Sequence, residues 1–193
     1  MMTPNFAQTE NHALPFPHFR VPNLLTERDA EAMLGWLDTR APWKLRIAAF
    51  YEQHEFSIFD CGTSSKLSAL ISAPVIETIA SELSERLHAP KLELVDVCVH
   101  RLAAGQTIRI HNDYIGEAES HRLVVQLNRG WSAEQGGLLM LFAQDDPDSV
   151  TDVLLPVHRS AFGFEISERS HHAVSTIHAG QRHTLVYTFR KAA

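Results

Sequence analysis

The stretch "RIHNDYIGE", residues 109–117, puts a histidine and a carboxylate two positions apart at the end of an alternating, strand-like run. On a strand, residues i and i+2 face the same way. His111 and Asp113 are therefore expected to present one imidazole and one carboxylate to a common side, which is half of a metal site. The chain has 12 histidines, and His171, His172, His178 and His183 fall late in it. Two histidines and one carboxylate make the facial triad that holds non-haem Fe(II) with open positions, which a co-substrate and O2 both need. In "SHHAVSTI", His172 shares a strand face with Val174 and Thr176, whereas His171 shares the other with Ala173 and Ser175. The first set reads more like a barrel interior, so His172 is the favoured third ligand. Across the turn "HAGQ", Arg182 and Thr184 share a face, and a guanidinium beside a hydroxyl suits a distal carboxylate. Taken alone, Arg182 reads more readily as a solvated strand residue.

These residues must be positioned by the elements around them. A chain of 193 residues, 45% hydrophobic and 21% charged, is expected to form one domain with a real core. A formal charge of −6, with no Lys/Arg run, argues against nucleic acid as a partner. Cys61 and Cys98 are too few for a disulfide framework. No leader or membrane span is expected, so a cytoplasmic setting is the default. Residues 1–20, polar and broken by prolines, are expected to be an extended or partly disordered arm. "TERDAEAMLGWLDTR" carries a threonine cap and helical apolar spacing. "PWKLRIAAFYEQHEFSIFD" suggests one or two strands, and a second helical region through residue 90 is expected to break at Pro74. After Pro90 eight short apolar stretches follow: "KLELVDVCVHRL", "QTIRIH", "RLVVQLN", "GGLLMLF", "VTDVLLPV", "SAFGFEI", "HAVSTI" and "RHTLVYTF". Regular short strands with turns between them point to a jelly roll or barrel. The hairpin signals "AAGQ" and "HAGQ" put strand ends at Gly105 and Gly180. The expected fold is α+β, mainly β: helical support over about 21–90 and a jelly-roll core over about 91–190, within one domain spanning 21–193.

"HND", then "VVQLNRGW", "GGLLMLF", "HHAV" and "GQRHT", in that order, resembles the prolyl-hydroxylase-like branch of the Fe(II)/2-oxoglutarate oxygenases. The resemblance covers roughly residues 95–190 and extends weakly upstream to "FPHFRVPNLLTERDAEAMLGWL". It implies a double-stranded β-helix core and an enzyme that uses Fe(II), 2-oxoglutarate and O2. His111, Asp113 and His172 become the iron ligands and the catalytic centre. Arg182 would hold the C5 carboxylate of 2-oxoglutarate, with Thr184 assisting. Where many relatives carry a tyrosine before Leu-Asn, this chain has Gln126; where another tyrosine precedes the first ligand, it has His100. Both can still hydrogen-bond the co-substrate. Related halogenases replace the ligand carboxylate with a small residue, so Asp113 favours hydroxylation of an unactivated C–H bond. The family often acts on amino-acid side chains of peptides or proteins; a free amino acid or other small molecule is the alternative. The rival from another class is a non-catalytic cupin-like module that binds a metal or ligand.

Other residues receive lesser roles. Tyr114 to Glu117 are expected to begin a loop over the site, with Tyr114 a candidate substrate contact. Arg122 is a candidate to point into the cavity and meet a substrate carboxylate or carbonyl. Gly136 and Gly137 read as a turn, and Trp131 as a loop anchor. His178 and His183 are expected at the solvent, His54 receives no role, and "QDDPDS" reads as a solvated loop. Oligomeric state is not legible.

Overall fold

The computed structural model describes residues 2–61 and 65–192. Twelve strands among them build two antiparallel sheets. The strands are β1 (Glu10–His12), β2 (His18–Val21), β3 (Lys44–Ile47), β4 (Glu52–Ser57), β5 (Leu92–Ala103), β6 (Ile108–His111), β7 (His121–Gln126), β8 (Leu139–Phe142), β9 (Val150–Leu154), β10 (Ala161–Glu165), β11 (His172–Val174) and β12 (Gln181–Lys191). The larger sheet runs β1-β2-β10-β7-β12-β5-β4-β3 and the smaller β6-β11-β8-β9. This is the expected jelly roll, and all eight stretches after Pro90 contain a strand. Three helices, α1 (Glu27–Arg40), α2 (Ser65–Leu70) and α3 (Ala73–Arg86), belong to the N-terminal half.

The helices form where local chemistry favours them. Thr26 caps α1 by accepting the Asp29 N–H at 3.1 Å, and Ala30, Met33, Leu34 and Leu37 form its buried stripe. Pro74 sits in the first turn of α3, where its missing N–H costs nothing, so the helical region breaks just before it. The run Leu67–Arg86 is long and apolar enough to cross a membrane by length and composition. It is nevertheless divided between α2 and α3, and Val75, Ile79 and Leu83 are buried in the core.

Alternation along the large sheet separates two environments. On β12, Leu185, Tyr187 and Phe189 join the helix-side core, whereas Arg182, Thr184, Val186 and Thr188 line a cavity between the sheets. On β5, Val97 and Val99 face the core while Asp96, Cys98 and His100 face the cavity. On β7, Leu123 and Val125 face the core, and Arg122 and Val124 the cavity.

Three expectations change. The N-terminal segment is extended but is not a loose arm: β1 and β2 add to the edge of the large sheet through β10, and Phe6, Phe16 and Phe19 are buried. Those aromatics bring enough apolar surface to order a polar, proline-broken segment. The "AAGQ" and "HAGQ" turns do end strands, with Gly105 and Gly180 at positive φ (87° and 81°). They are not hairpins, because each carries the chain from one sheet to the other. A main-chain pair binds the first turn to the end of the "HAVSTI" stretch: Gly105 N–H to Ile177 O at 2.8 Å and Ile177 N–H to Gln106 O at 2.9 Å. Finally, His183 is buried, 5.7 Å from the Trp43 ring, because β12 is central and covered on both faces. His178 is exposed as expected.

Burial pushes His18, His121 and His183 down to about 4. In the unfolded chain a histidine titrates near 6.5. Between these values the unfolded state binds more protons, so each site's stabilisation is complete above pH 6.5 and is lost as pH falls toward 4. Urea unfolding of His183→Gln should therefore show a shallower loss of stability between pH 6.5 and 4 than wild type. The difference should reach at most about 1.4 kcal/mol per pH unit. An unchanged slope would show that His183 protonates as freely in the folded state as in the unfolded one.

Candidate metal centre and its cavity

β6 and β11 are neighbours, and their register sets His111 opposite His172. Each ring is oriented by a main-chain carbonyl. His111 Nδ1 lies 2.9 Å from Arg109 O, and His172 Nδ1 lies 2.7 Å from Ser170 O. A carbonyl only accepts, so both rings carry their proton on Nδ1 and leave Nε2 with a free lone pair. Both Nε2 atoms converge on Asp113, His111 at 3.3 Å from Oδ1 and His172 at 3.3 Å from Oδ2. The three donor atoms all lie within 4.8 Å of one another. His171, by contrast, is not part of this group.

Asp113 does not reach the site as a strand residue. β6 ends at His111, and Asp113 adopts φ +61°, the left-handed region that Asp tolerates better than most residues. Asn112 builds the turn: its Oδ1 accepts the Tyr114 N–H at 3.0 Å, and its carbonyl accepts the Ser170 hydroxyl at 2.8 Å. Ser170 thus connects the two ligand-bearing segments, since its own carbonyl orients His172. Phe50 stacks on His111 (4.5 Å, 21°) and Phe164 meets His172 edge-on at 5.1 Å. The sequence reading overlooked Asn112, Ser170 and Phe50. Asn112 lay inside the motif itself; nothing in the pattern marks the other two, whose roles depend on tertiary neighbours.

Burial alone would raise the Asp113 pKa, but the Arg122 guanidinium beside it holds it well below the usual carboxylate range. Arg122 Nη1 is 2.6 Å from Asp113 Oδ2, and Nη2 is 2.6 Å from Glu119 Oε2. Burial lowers the His172 pKa from its ordinary value, favouring the neutral ring. The site is therefore an ionised carboxylate flanked by neutral imidazole nitrogen, the donor set a divalent metal requires.

One cavity of about 630 Å³ collects His111, Asp113, His172, Arg182, Thr184, His100, Arg122 and Tyr114. Burial and then Arg122 push His100 down to about 4, so it is a neutral donor-acceptor at physiological pH. Tyr114 is 44% exposed, at the mouth of the cavity. Gln126 departs from expectation. It stands opposite Thr184 on the same face of the sheet but lines a separate cavity of about 250 Å³. Its Oε1 accepts from Asn128 Nδ2 at 3.3 Å, and Leu139 and Phe162 line both cavities as the wall between them. Trp131 is the expected anchor, donating to Gly136 O at 2.9 Å. Gly136 and Gly137 make the expected turn at φ +70° and +66°. A Cβ on Gly137 would come within 3.0 Å of Arg182 Cδ, so the turn also clears a path for that side chain.

Residues 97–189 match the family model of the 2OG-Fe(II) oxygenase superfamily. No curated protein matches the sequence. Among solved structures, a Pseudomonas putida prolyl-4-hydroxylase superposes with a TM-score of 0.73 at 18% identity, covering 91% of this chain and 93% of the other. A Trichoplax adhaerens prolyl hydroxylase, in complex with a hypoxia inducible factor oxygen degradation domain peptide fragment, gives 0.75 at 15% identity over 90% and 83%. A viral collagen prolyl hydroxylase from Paramecium Bursaria Chlorella virus-1, in a 2OG complex, gives 0.64 at 16% identity over 91% and 96%. These likenesses establish a shared double-stranded β-helix fold.

Arg182 is a costly group to bury in the cavity. It is 4% exposed, its Nε has no hydrogen-bond partner, and no carboxylate among the described residues pairs with it. Burial alone pushes its pKa down to about 10. An unpaired buried cation destabilises the fold that holds it. In protein stripped of metal and small molecules, Arg182→Leu should raise the urea midpoint, by roughly 1–3 kcal/mol in stability. A lower midpoint would mean that the guanidinium serves the fold rather than a ligand.

Proposed function

We propose, from the match of residues 97–189 to the family model of the 2OG-Fe(II) oxygenase superfamily, that the protein is a 2-oxoglutarate-dependent oxygenase that hydroxylates an unactivated C–H bond on an amino-acid side chain of a peptide or protein. The observation that carries the proposal is the pairing, in one cavity, of the His111–Asp113–His172 donor set with the unpartnered Arg182 beside Thr184. Bound Fe(II) supplies the oxidative decarboxylation of 2-oxoglutarate by O2, and with it the power to break a C–H bond.

The chain's own residues supply position and environment. His111, Asp113 and His172 would hold the metal through two Nε2 atoms and a carboxylate, leaving the positions toward the cavity open. The donor set fits a divalent ion, since Asp113 is ionised and His172 neutral. Arg182 pairs with the C5 carboxylate of the co-substrate, with the Thr184 hydroxyl as a second donor. That pairing removes the burial cost Arg182 carries alone. His100, on the same wall, offers a neutral ring to the co-substrate. Leu139, Phe162, Phe164 and Val174 line the cavity and exclude water from it. Arg122 presents a fixed guanidinium to a substrate carbonyl while Glu119 keeps it in place, and Tyr114 meets the substrate at the mouth. The peptide reading is supported by the prolyl hydroxylase in complex with a peptide fragment that shares the fold.

Three measurements test the assignment. In an assay for succinate formed from 2-oxoglutarate with Fe(II) and O2, His172→Ala should lose turnover while His171→Ala keeps it; the reverse pattern would move the third ligand. Arg182→Ala should raise the KM for 2-oxoglutarate by roughly 10- to 100-fold, and an unchanged KM would remove it from the co-substrate site. Mass spectrometry of candidate peptides incubated with enzyme, Fe(II), 2-oxoglutarate and O2 should find one added oxygen atom.

A further inference from the structure

The cavity wall formed by β4 carries two acceptors that the chemistry above does not use. Gln53 and Glu55 face the cavity, whereas Phe56, the next residue along the strand, turns into the helix-side core. Gln53 is 3% exposed, and its Nε2 donates to Glu55 Oε2 at 2.8 Å. That bond sets the amide orientation, because the flipped amide would bring oxygen against carboxylate oxygen. Gln53 Oε1 is therefore the atom left buried with no donor. A buried acceptor without a partner is costly and marks a place where a donor is missing.

Beyond the Gln53 amide, Glu55 meets cationic groups only loosely. Its Oε1 lies 3.5 Å from Arg46 Nε, but the Arg46 side chain is 63% exposed, so water screens that pair. Its Oε2 lies 4.0 Å from His100 Nε2, on a ring already assigned neutral. This wall adjoins the metal centre. Phe50 stacks on His111, its carbonyl accepts the Arg109 N–H at 2.9 Å, and Tyr51 bridges to Ile108 at the start of the first ligand strand. The wider charge balance points the same way. Divalent iron, Asp113, doubly anionic 2-oxoglutarate and Arg182 would neutralise one another, which leaves Glu55, Asp96, Glu119 and Asp145 against Arg46 and Arg122 along the remaining walls.

Resting on the oxygenase reading above, we propose that Gln53 and Glu55 recognise the substrate through a cationic nitrogen, the ammonium or guanidinium of a lysine- or arginine-type side chain. Such a group brings several N–H donors and one positive charge, satisfying both the orphaned Gln53 oxygen and the weakly paired Glu55 carboxylate. The substrate class is thus a basic peptide segment rather than an acidic or purely apolar one.

The test is binding to the holoenzyme, loaded with Fe(II) and 2-oxoglutarate and kept free of O2 so that nothing turns over. Four probes differ in one side chain: the N-acetyl methylamides of lysine, arginine, norleucine and glutamate. By calorimetry or NMR titration, the lysine and arginine probes should bind at least about tenfold more tightly than the norleucine and glutamate probes. The preference should shrink as salt is raised. Glu55→Gln should bring the lysine probe to the norleucine level, and Glu55→Lys should turn the preference toward glutamate. Equal binding of lysine and norleucine probes by wild type, or unchanged lysine binding by folded E55Q, overturns the proposal. If E55Q does not fold, the wild-type contrast decides alone. Probe-free succinate formation in air is scored separately. Its absence while the lysine preference persists would remove the site assignment of the previous section and leave the cation pocket standing.

Discussion

Strand β12 is covered on both faces, and the alternation of side chains along it governs what each face can be. Its odd positions from Leu185 to Phe189 close the core under the helices, and its even positions from Arg182 to Thr188 form the cavity floor. A slip of one residue in its pairing with β5 and β7 would exchange the two sets, placing a guanidinium among leucines and a phenylalanine in the polar cavity. The pairing runs unbroken from Gln181 to Thr188 against β5, so the apolar face enforces the register and the polar face inherits it. Arg182 and Thr184 are in this sense positioned by the hydrophobic effect acting on the other side of the sheet.

The cavity holds groups that a core selected for stability alone would exclude: ionised Asp113, unpartnered Arg182 and the half-satisfied Gln53 amide. Each costs free energy on burial. What offsets them is a continuous apolar cluster that draws on the N-terminal segment, all three helices and the large sheet. The N-terminal strands matter here. Without Phe6, Phe19 and Val21, the β10 edge of the sheet would lose both its cover and part of that cluster.

What the sequence made legible follows the same division. Strands, helices and the His111–Asp113–His172 set could be read because they leave periodic or closely spaced marks: alternation, a threonine cap, His-x-Asp. Residues whose role depends on which strand is central could not. His183 looked solvent-facing because its polarity and phase suggested the outside of a sheet, yet both sides of β12 are inside. Gln126 has the right face and row, but its carboxamide is taken by Asn128, a neighbour two residues on that a strand pattern does not place. Gly105 and Gly180 announced turns correctly, and only the tertiary pairing shows that these turns change sheets. Even the convergence expected of the opening motif arises differently, since Asp113 reaches the two histidines through a left-handed backbone rather than through strand alternation.

That left-handed step ties the metal donors to the rest of the fold. Because Asp113 lies beyond the end of β6, its position depends on the Asn112 turn, and Asn112 depends in turn on Ser170, whose carbonyl aims His172. The donors therefore form one hydrogen-bonded unit spanning two segments, not three independent side chains. Arg182 lies outside this unit, held by β12 and given room by the turn at Gly137. The two halves of the site meet through the Arg122–Asp113 ion pair and through the packing of the small sheet on the large one. Their spacing is therefore set in part by buried residues that bear no chemistry, Leu102, Val174 and Ile177, which pack together between the sheets.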